Sequence, residues 1–312
     1  MAALSGPLHA VYEPNLEQAV VVLERMGFRV RRAPLLEAGR HRWWSAATPV
    51  EIAEEFNGLL RDPEVRAIVA HDGGQTVLGY LDLIDFEAVV ADPKPILGYS
   101  DISLLHLVLY ARTGLVGFHA DLATPGLGGH WQVATAARRG ELEALYSKLR
   151  TGTEEIGALP ASPSWECWRE GRAEGRLIGG VINRIVLAQA TPYAVPVEWF
   201  DGAILFWEEM GGLASYVWSY LHVLRHCGVL DRIAGMVVGV PHAIDGLEAP
   251  STLREIVLDV LGDRDVPVLG NVEIGHAGPN LPMPVGVRVG LDARERTLSL
   301  LEAAVRPHSA LR

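Results

Sequence analysis

The 312-residue sequence contains little cysteine and no long apolar run. Its two cysteines, Cys167 and Cys227, form no CxxC pair, which argues against a disulfide scaffold. No run of about 18 apolar residues predicts a membrane span. The N-terminus also lacks the basic start and apolar core of a secretion signal. We therefore expect a cytoplasmic protein with no membrane partner.

Positive charge is also scarce. The chain has 27 Lys and Arg residues against 38 Asp and Glu residues, for a formal net charge of -11. Binding to nucleic acid or to an anionic membrane needs clustered Lys and Arg to neutralise phosphates, so neither is expected as a partner. Hydrophobic residues make up 49%, which is enough for a sizeable core and argues against disorder.

Helix-like and strand-like segments alternate over the first half of the chain. Residues 15–26 carry apolar side chains at helical spacing, and TPVE at 48–51 predicts a capping box with proline at the first helical position. The apolar runs VRAIVA at 65–70 and PILG at 95–98 predict short buried strands. This alternation favours an α/β fold with a parallel sheet.

The chain is predicted to form two domains. Residues 1–150 are expected to be an N-terminal parallel α/β domain, and residues 177–312 a C-terminal mixed α/β domain. Residues 151–176, rich in Gly, Pro and charge, are predicted to connect them. The elements expected in the second domain are strands at 203–207 and 233–240, helices at 213–226 and 251–261, and a closing hairpin with its turn at 292–295.

A polar pair stands between two apolar runs in ILGYSDISLLHLVLYARTG, residues 96–114. A serine at a tight strand-to-helix turn has its hydroxyl lifted out of the sheet, and amides at the helix N-terminus favour developing negative charge. This is the arrangement of a nucleophile elbow, although GYSDI is not GxSxG. The alternative is that Ser100 and Asp101 merely cap a helix, and this stretch alone favours the cap.

Gly73 and Gly74 follow the strand-like run at 65–70. Because the carboxyl ends of parallel strands share one edge of a sheet, this turn is expected to lie beside Ser100. Its backbone N–H groups are candidates to bind an oxyanion, and an ordinary turn is the alternative.

A serine nucleophile needs a base and a carboxylate that orients the base. His276 lies in GHAGPNLPMPVG, a rigid loop after a strand-like run, and Glu208 ends the apolar run AILFW. The alternative for Glu208 is an acid at a helix N-terminus. His106 is predicted to be a core residue. His222 and His226 have helical spacing but no evident third ligand, so no metal is expected.

Several segments in order resemble the serine LD-carboxypeptidase family, which includes muramoyl-tetrapeptide carboxypeptidases and microcin C self-immunity peptidases. The segments are DPEVRAIVAHDGG at 62–74, GYSDISLLHLVLYARTG at 98–114, EGRLIGG at 174–180, AILFWEE at 203–209 and NVEIGHAGPNLPMPVG at 271–286. Members usually begin with a longer first strand than MAALSGP allows, so a shortened first strand is expected here.

The resemblance implies a Ser-Glu-His triad formed by Ser100, Glu208 and His276. It implies an oxyanion hole built from the amides of Asp101 and of the Gly73-Gly74 turn. It also implies two domains, a cytoplasmic homodimer, and no metal or organic cofactor.

The residues around the expected site favour the self-immunity branch. The glycine turn is HDGGQT, without the arginine of the murein-type RGGYG, and is nearer the GG-Asn type. Gln75 and Asn183 are expected to contact the substrate. Trp165 and Trp168 are predicted either to form an aromatic wall that stacks on a nucleobase or to plug the interface between the domains. These two alternatives carry equal weight.

We therefore expect a serine peptidase of the LD-carboxypeptidase family that acts on a small-molecule or peptide substrate. It would cleave an amide or acyl-nucleotide bond, such as that of an aminoacyl or peptidyl sulfamoyl- or phosphoramidate-adenylate. The alternative is a murein tetrapeptide LD-carboxypeptidase that releases terminal D-alanine in cell-wall recycling, with Arg112, Arg176 or Arg184 binding the free carboxylate. A non-catalytic ligand-binding protein on the same fold is a third reading, against which the complete triad argues.

Overall fold

A first sheet of four strands organises the N-terminal domain. The structure, a computed structural model, describes residues 1–152, 156–247 and 252–306. In spatial order the strands are β1 (Ile68–Val69), β2 (Ile96–Leu97), β3 (Phe118–His119) and β10 (Met283–Pro284). The first three are parallel, and β10 is antiparallel to β3. The prediction of a parallel α/β domain is confirmed, with one antiparallel strand added from near the other end of the chain.

The second helix of this domain starts where the sequence predicts. The side chain of Thr48 accepts a hydrogen bond from the Glu51 amide, and the Glu51 carboxylate accepts one from the Thr48 amide, which confirms the capping box. The helices are α1 (Glu13–Arg25), α2 (Pro49–Arg61), α3 (Phe86–Ala91), α4 (Ile102–Thr113), α5 (Trp131–Val133) and α6 (Ala136–Thr151). The longest apolar helix found in the described ranges falls short of what a membrane crossing requires.

A second sheet of eight strands forms the C-terminal domain, in the order β4-β12-β11-β6-β7-β8-β9-β5. Its centre, β6 to β9, is parallel, and its flanks are antiparallel, which confirms a mixed α/β domain. The strands are β4 (Gly157–Ala158), β5 (Glu166–Arg169), β6 (Arg172–Val181), β7 (Ile204–Glu208), β8 (Gly235–Gly239), β9 (Val268–Val272), β11 (Arg288–Asp292) and β12 (Thr297–Leu300). The helices are α7 (Ile182–Gln189), α8 (Ala214–His226) and α9 (Leu253–Leu261), and the predicted closing hairpin is β11–β12.

The predicted connection between the domains differs from what the structure shows. Residues 151–176 were expected to connect the domains, but β4, β5 and the first half of β6 lie within them and pair into the second sheet. The reason is a period of two in RAEGR at 172–176, whose side chains alternate between more and less exposed positions. The first strand is short, as expected: only Ala2 bridges to Ala70. Residue 251, where α9 was predicted to begin, lies outside the described residues.

Helix α4 lies where the two domains meet. Its residues from Ile102 to Tyr110 are all buried, as is typical of a helix surrounded by other elements. The end of β6 packs so closely against it that a Cβ on Gly180 would lie 2.6 Å from Ser103 Cβ. The Val181 amide donates a 3.3 Å hydrogen bond to Ser103 Oγ. Helix α4, which begins two residues after Ser100, is thereby fixed to the second sheet.

We predict that Gly180→Ala destabilises the protein by about 2–4 kcal/mol. Gly180 has a φ of +150°, which disfavours any side chain, and the new methyl group would overlap Ser103. Gly140→Ala is the matched control, because Gly140 lies in α6 with no atom outside its helix within 4 Å. It should stabilise the protein by about 0.5–1 kcal/mol. Urea denaturation measures both changes. Wild-type stability of Gly180→Ala would mean that the domains pack less tightly than described.

Candidate active site

Ser100 occupies a strained turn between β2 and α4. Its φ is +63°, a conformation that residues other than glycine rarely adopt. Asp101 stands at the N-cap position of α4 with helical backbone angles, and its side chain makes no capping hydrogen bond. The alternative of an ordinary Ser-Asp helix cap is therefore wrong. The turn has the strained strand-to-helix form of a nucleophile elbow.

The glycine turn after β1 lies directly against Ser100. A Cβ on Gly73 would be 2.6 Å from Ser100 Oγ and 3.6 Å from the Asp101 nitrogen, so only glycine allows this approach. The Gly73 amide donates to Asp72 Oδ1 at 2.7 Å. The backbone N–H groups of Gly74 and Asp101 donate no hydrogen bond to any described residue. Of the three predicted oxyanion donors, Gly73 is thus engaged, whereas Gly74 and Asp101 are free.

Glu208 and His276 form a close pair at the edge of the second sheet. Glu208 ends β7, and its two carboxylate oxygens lie 3.0 and 2.9 Å from His276 Nδ1. The His276 amide also donates to Glu208 Oε2 at 3.3 Å. Gly275, with a φ of +90°, is required because a Cβ there would overlap the Glu208 carboxylate. With Nδ1 held by the carboxylate, Nε2 of the imidazole is left for proton transfer.

The imidazole of His276 lies beside the nucleophile turn. Its ring packs edge-on against Tyr99, the residue before Ser100, with ring centroids 4.8 Å apart. Ser100 Oγ makes no hydrogen bond to His276 or to any other described residue. Such hydrogen bonds are often long before a substrate binds. The structure therefore brings the three predicted residues to one place without a closed Ser-His contact.

A buried carboxylate absent from the sequence prediction holds the loop that carries His276. Asp121 accepts hydrogen bonds from Trp131 Nε1 at 2.6 Å, from the Asn280 amide at 3.0 Å and from Asn280 Nδ2 at 2.8 Å. Asn280 Nδ2 also donates to the Gly275 carbonyl at 2.6 Å. Burial raises the pKa of Asp121 to about 6. The available signal was an acid two residues after a strand, on the edge that carries Ser100.

Asn183 faces a second acid rather than the cleft. Its Nδ2 donates to Glu209 Oε1 at 3.0 Å and its amide to Glu209 Oε2 at 3.3 Å, while its own Oδ1 is buried without a partner. Burial raises the pKa of Glu209 to about 7, and the neighbouring charge of Glu208 adds to the rise. The expected substrate contact of Asn183 is thus occupied by Glu209. Gln75 is exposed beside Gly74.

Trp165 and Trp168 do not form an aromatic wall in this structure. Their exposed fractions are 0% and 5%. Trp165 Nε1 donates to Glu273 at 2.7 Å, Trp168 Nε1 donates to Glu166 at 3.0 Å, and the Trp168 ring covers Gly270 of β9. Because β5 pairs with β9, the Trp168 ring lies on the surface of the second sheet. Both tryptophans therefore pack against residues of the C-terminal domain, so the stacking interpretation is not supported, and these contacts do not place either ring as a plug between the domains.

Two of the three arginines proposed for a substrate carboxylate bind acidic side chains, and the third packs on aromatic rings. Arg184 pairs with Asp101, and Arg176 Nη1 binds Glu302 at 3.2 Å and the Gly286 carbonyl at 2.7 Å. The Arg112 guanidinium lies over two aromatic rings, those of Phe86 and Tyr193. Across the described ranges, no group of three or more His, Cys, Asp or Glu side chains is placed to hold a metal ion.

The comparison with known proteins assigns the chain to a family. Residues 1–120 match the LD-carboxypeptidase N-terminal domain, and residues 174–291 match the LD-carboxypeptidase C-terminal domain. The chain belongs to the LD-carboxypeptidase family. The protein is accordingly a peptidase, and the resemblance stated from its motifs is confirmed.

Relatives of the chain include a self-immunity protein and a murein tetrapeptide carboxypeptidase. The microcin C7 self-immunity protein MccF of Escherichia coli is 26% identical over 96% of this chain and 91% of that protein. The murein tetrapeptide carboxypeptidase of Pseudomonas aeruginosa is 27% identical over 91% of this chain and 90% of that protein. A solved structure of MccF in complex with aspartyl sulfamoyl adenosine superimposes with a TM-score of 0.87 at 25% identity, covering 97% of this chain and 95% of that one. The fold is therefore that of MccF.

We predict that Glu209→Gln gains stability over wild type as pH rises from about 4.5 to about 7. The folded-state pKa of Glu209 is about 7, above its ordinary 4.5, so the folded state binds more protons in this window and wild-type stability falls as pH rises. Glutamine does not titrate and retains an oxygen for the Asn183 amide. Urea denaturation at several pH values measures the difference. The exposed Glu54→Gln is the control, and a difference that does not depend on pH would contradict the assignment.

Trp168→Phe is expected to lower the free energy of unfolding by about 1–3 kcal/mol, because the smaller ring leaves a gap over Gly270. The KM of the enzyme should stay within about twofold, since the indole faces β9 and not a ligand. Trp44→Phe, at an exposed tryptophan, controls for the substitution itself. An increase in KM at unchanged stability would restore the stacking interpretation.

Proposed function

We propose that this LD-carboxypeptidase uses Ser100 as its nucleophile, His276 as its base and Glu208 as the carboxylate that orients the base. The observation that carries the proposal is the strained Ser100 turn, which lies between two free amides while Glu208 holds His276 Nδ1. A binding protein has no need of this combination, because strain at a serine and a fixed imidazole contribute nothing to holding a ligand.

The reaction follows from these positions. His276 Nε2 takes the proton of Ser100 Oγ as the oxygen attacks the substrate carbonyl carbon. The carbon–nitrogen bond then breaks, and the leaving nitrogen receives the proton from Nε2. His276 Nε2 then deprotonates a water molecule, which hydrolyses the acyl ester. This step frees Ser100. Glu208 stabilises the imidazolium that forms in each step.

The negative charge of the tetrahedral intermediate would be held by the amides of Gly74 and Asp101. Both amides are free in the structure; Asp101 follows Ser100 directly, and Gly74 follows Gly73, which lies against Ser100 Oγ. Donors of this kind typically contribute on the order of 3 kcal/mol each to transition-state stabilisation. The Gly73 amide is a weaker candidate because it already donates to Asp72.

For the substrate, we propose an acyl nucleotide conjugate, in which the scissile carbonyl joins an amino acid or peptide to a sulfamoyl or phosphoramidate nucleotide. The likeness to MccF, whose solved complex holds aspartyl sulfamoyl adenosine, supports this class. The ion pairs of Arg176 and Arg184 support it as well, because a murein tetrapeptide presents a terminal carboxylate that needs a free cation.

The second candidate is hydrolysis of a murein tetrapeptide with release of D-alanine. It is favoured by the 27% identity to the murein tetrapeptide carboxypeptidase of Pseudomonas aeruginosa. The two candidates share one triad and differ in the leaving group. A direct comparison of substrates therefore separates them.

We predict that the enzyme releases aspartate from aspartyl sulfamoyl adenosine and that Ser100→Ala lowers kcat by at least about 10³-fold, because the other hydroxyl beside Gly74, that of Ser5, donates to Asp101 and cannot replace the nucleophile. A murein tetrapeptide ending in D-alanine is assayed in parallel. Amino-acid release, followed by mass spectrometry, measures both reactions.

The matched control is Ser103→Ala, a buried serine one turn further along α4. It should retain at least about a tenth of wild-type activity, since it lies outside the triad. Serine-dependent cleavage of the tetrapeptide alone would replace the first substrate class by the second. Turnover that survives Ser100→Ala would contradict the triad itself.

A further inference from the structure

One arginine of the C-terminal domain reaches into the nucleophile turn. Arg184 lies in α7 and places Nε 3.0 Å from Asp101 Oδ1, while its Nη2 donates to the Gly74 carbonyl at 3.1 Å. The exposed side-chain fractions are 13% for Arg184 and 3% for Asp101. A single side chain of one domain thus binds the two residues of the other domain whose amides are free.

The Asp101 carboxylate is a buried junction. Its Oδ2 accepts hydrogen bonds from Ser5 Oγ at 2.6 Å, from the Thr76 amide at 2.7 Å and from the Val77 amide at 2.9 Å. Its Oδ1 faces Arg184. Four donors from three chain segments therefore fix the residue that follows Ser100. The Asp101 side chain therefore fixes the turn after Ser100, a role that the sequence alone does not indicate.

The glycine turn is held from both sides. The Gly73 carbonyl accepts from the Gly6 amide at 2.7 Å, and because the N–H of a trans peptide points away from its carbonyl, the Gly74 N–H is directed away from Gly6. Arg184 binds the next carbonyl, that of Gly74. The two peptide planes that flank the Gly74 Cα are thus both fixed. Without the second bond, glycine at a φ of +148° has many other conformations open to it.

We propose that Arg184 is a positioning residue that sets the direction of the two oxyanion-binding amides, those of Gly74 and Asp101, from the opposite domain. It does so by holding the Gly74 carbonyl and the Asp101 carboxylate with one rigid guanidinium. This inference rests on the proposed function, since it assigns Arg184 a task in that same site. It also replaces the expectation that Arg184 binds a substrate carboxylate.

The first test separates positioning from substrate binding. Arg184→Ala should lower kcat by about 10–100-fold and leave KM within about threefold, because misdirected donors fail in the transition state and not in the bound ground state. Arg184→Lys, which keeps the charge but not the fork, should recover part of the loss. A rise in KM at unchanged kcat would make Arg184 a substrate-binding residue and overturn the proposal.

The second test separates positioning from a general loss of stability. Removing Arg184 leaves the Asp101 charge without its cation, so Arg184→Ala is also expected to unfold at lower denaturant concentration. Guanidinium chloride at millimolar concentration, far below denaturing levels, should restore activity to Arg184→Ala and not to Arg184→Lys. A loss of stability with wild-type kcat, or no rescue by guanidinium, would overturn the positioning role.

Arg176→Ala is the matched control, because Arg176 of the same domain also binds a carboxylate and a backbone carbonyl but lies away from the turn. It should keep wild-type kcat. The rate at which a small fluorophosphonate labels the enzyme gives a readout that needs no substrate. Labelling should be about 10–100-fold slower in Arg184→Ala and absent in Ser100→Ala. Undiminished labelling of Ser100→Ala would refute the proposed nucleophile, whereas labelling of Arg184→Ala at the wild-type rate would refute only the positioning role.

Discussion

The proposed nucleophile and the proposed base of this site belong to different sheets, so the distance between them depends on how those sheets are joined. Ser100 follows β2 of the first sheet, whereas Glu208 ends β7 and His276 follows β9 of the second. Strand β10, which comes soon after the His276 loop, pairs with β3 of the first sheet. The chain thus returns to the first domain soon after His276.

Two buried aspartates of the first domain complete this join. Asp101 receives Arg184, and Asp121 receives the amide and side chain of Asn280. A buried carboxylate is tolerated when several donors compensate for its lost hydration, and each of these has at least three. The pKa of Asp121 is raised to about 6, so its carboxylate form, which all three donors require, prevails above that pH. Asp101 therefore fixes the turn that carries Ser100, and Asp121 fixes the loop that carries His276.

Short sequence patterns predicted those features of the site that depend on residues close together in the chain. The serine at a strand-to-helix junction and the acid at the end of an apolar strand lie where their spacing placed them, and the capping box is confirmed. Pairing between distant residues was not predictable. The direction of Trp168 depends on the register of β5 against β9, and the partner of Arg184 depends on how α7 docks on the glycine turn. The homodimer implied by the family resemblance stays a prediction.

The strain at Ser100 explains why so many contacts converge on its neighbours. A φ of +63° costs on the order of 1–3 kcal/mol for a serine, and such a conformation persists only when its surroundings leave no alternative. Gly73 blocks one side of the serine, and Tyr99 packs against His276 on the other. Asp101, with four donors, prevents α4 from relaxing its first turn. The same bonds that hold the serine in this conformation also direct the free amides, so exposure of the hydroxyl and stabilisation of the oxyanion have one structural cause.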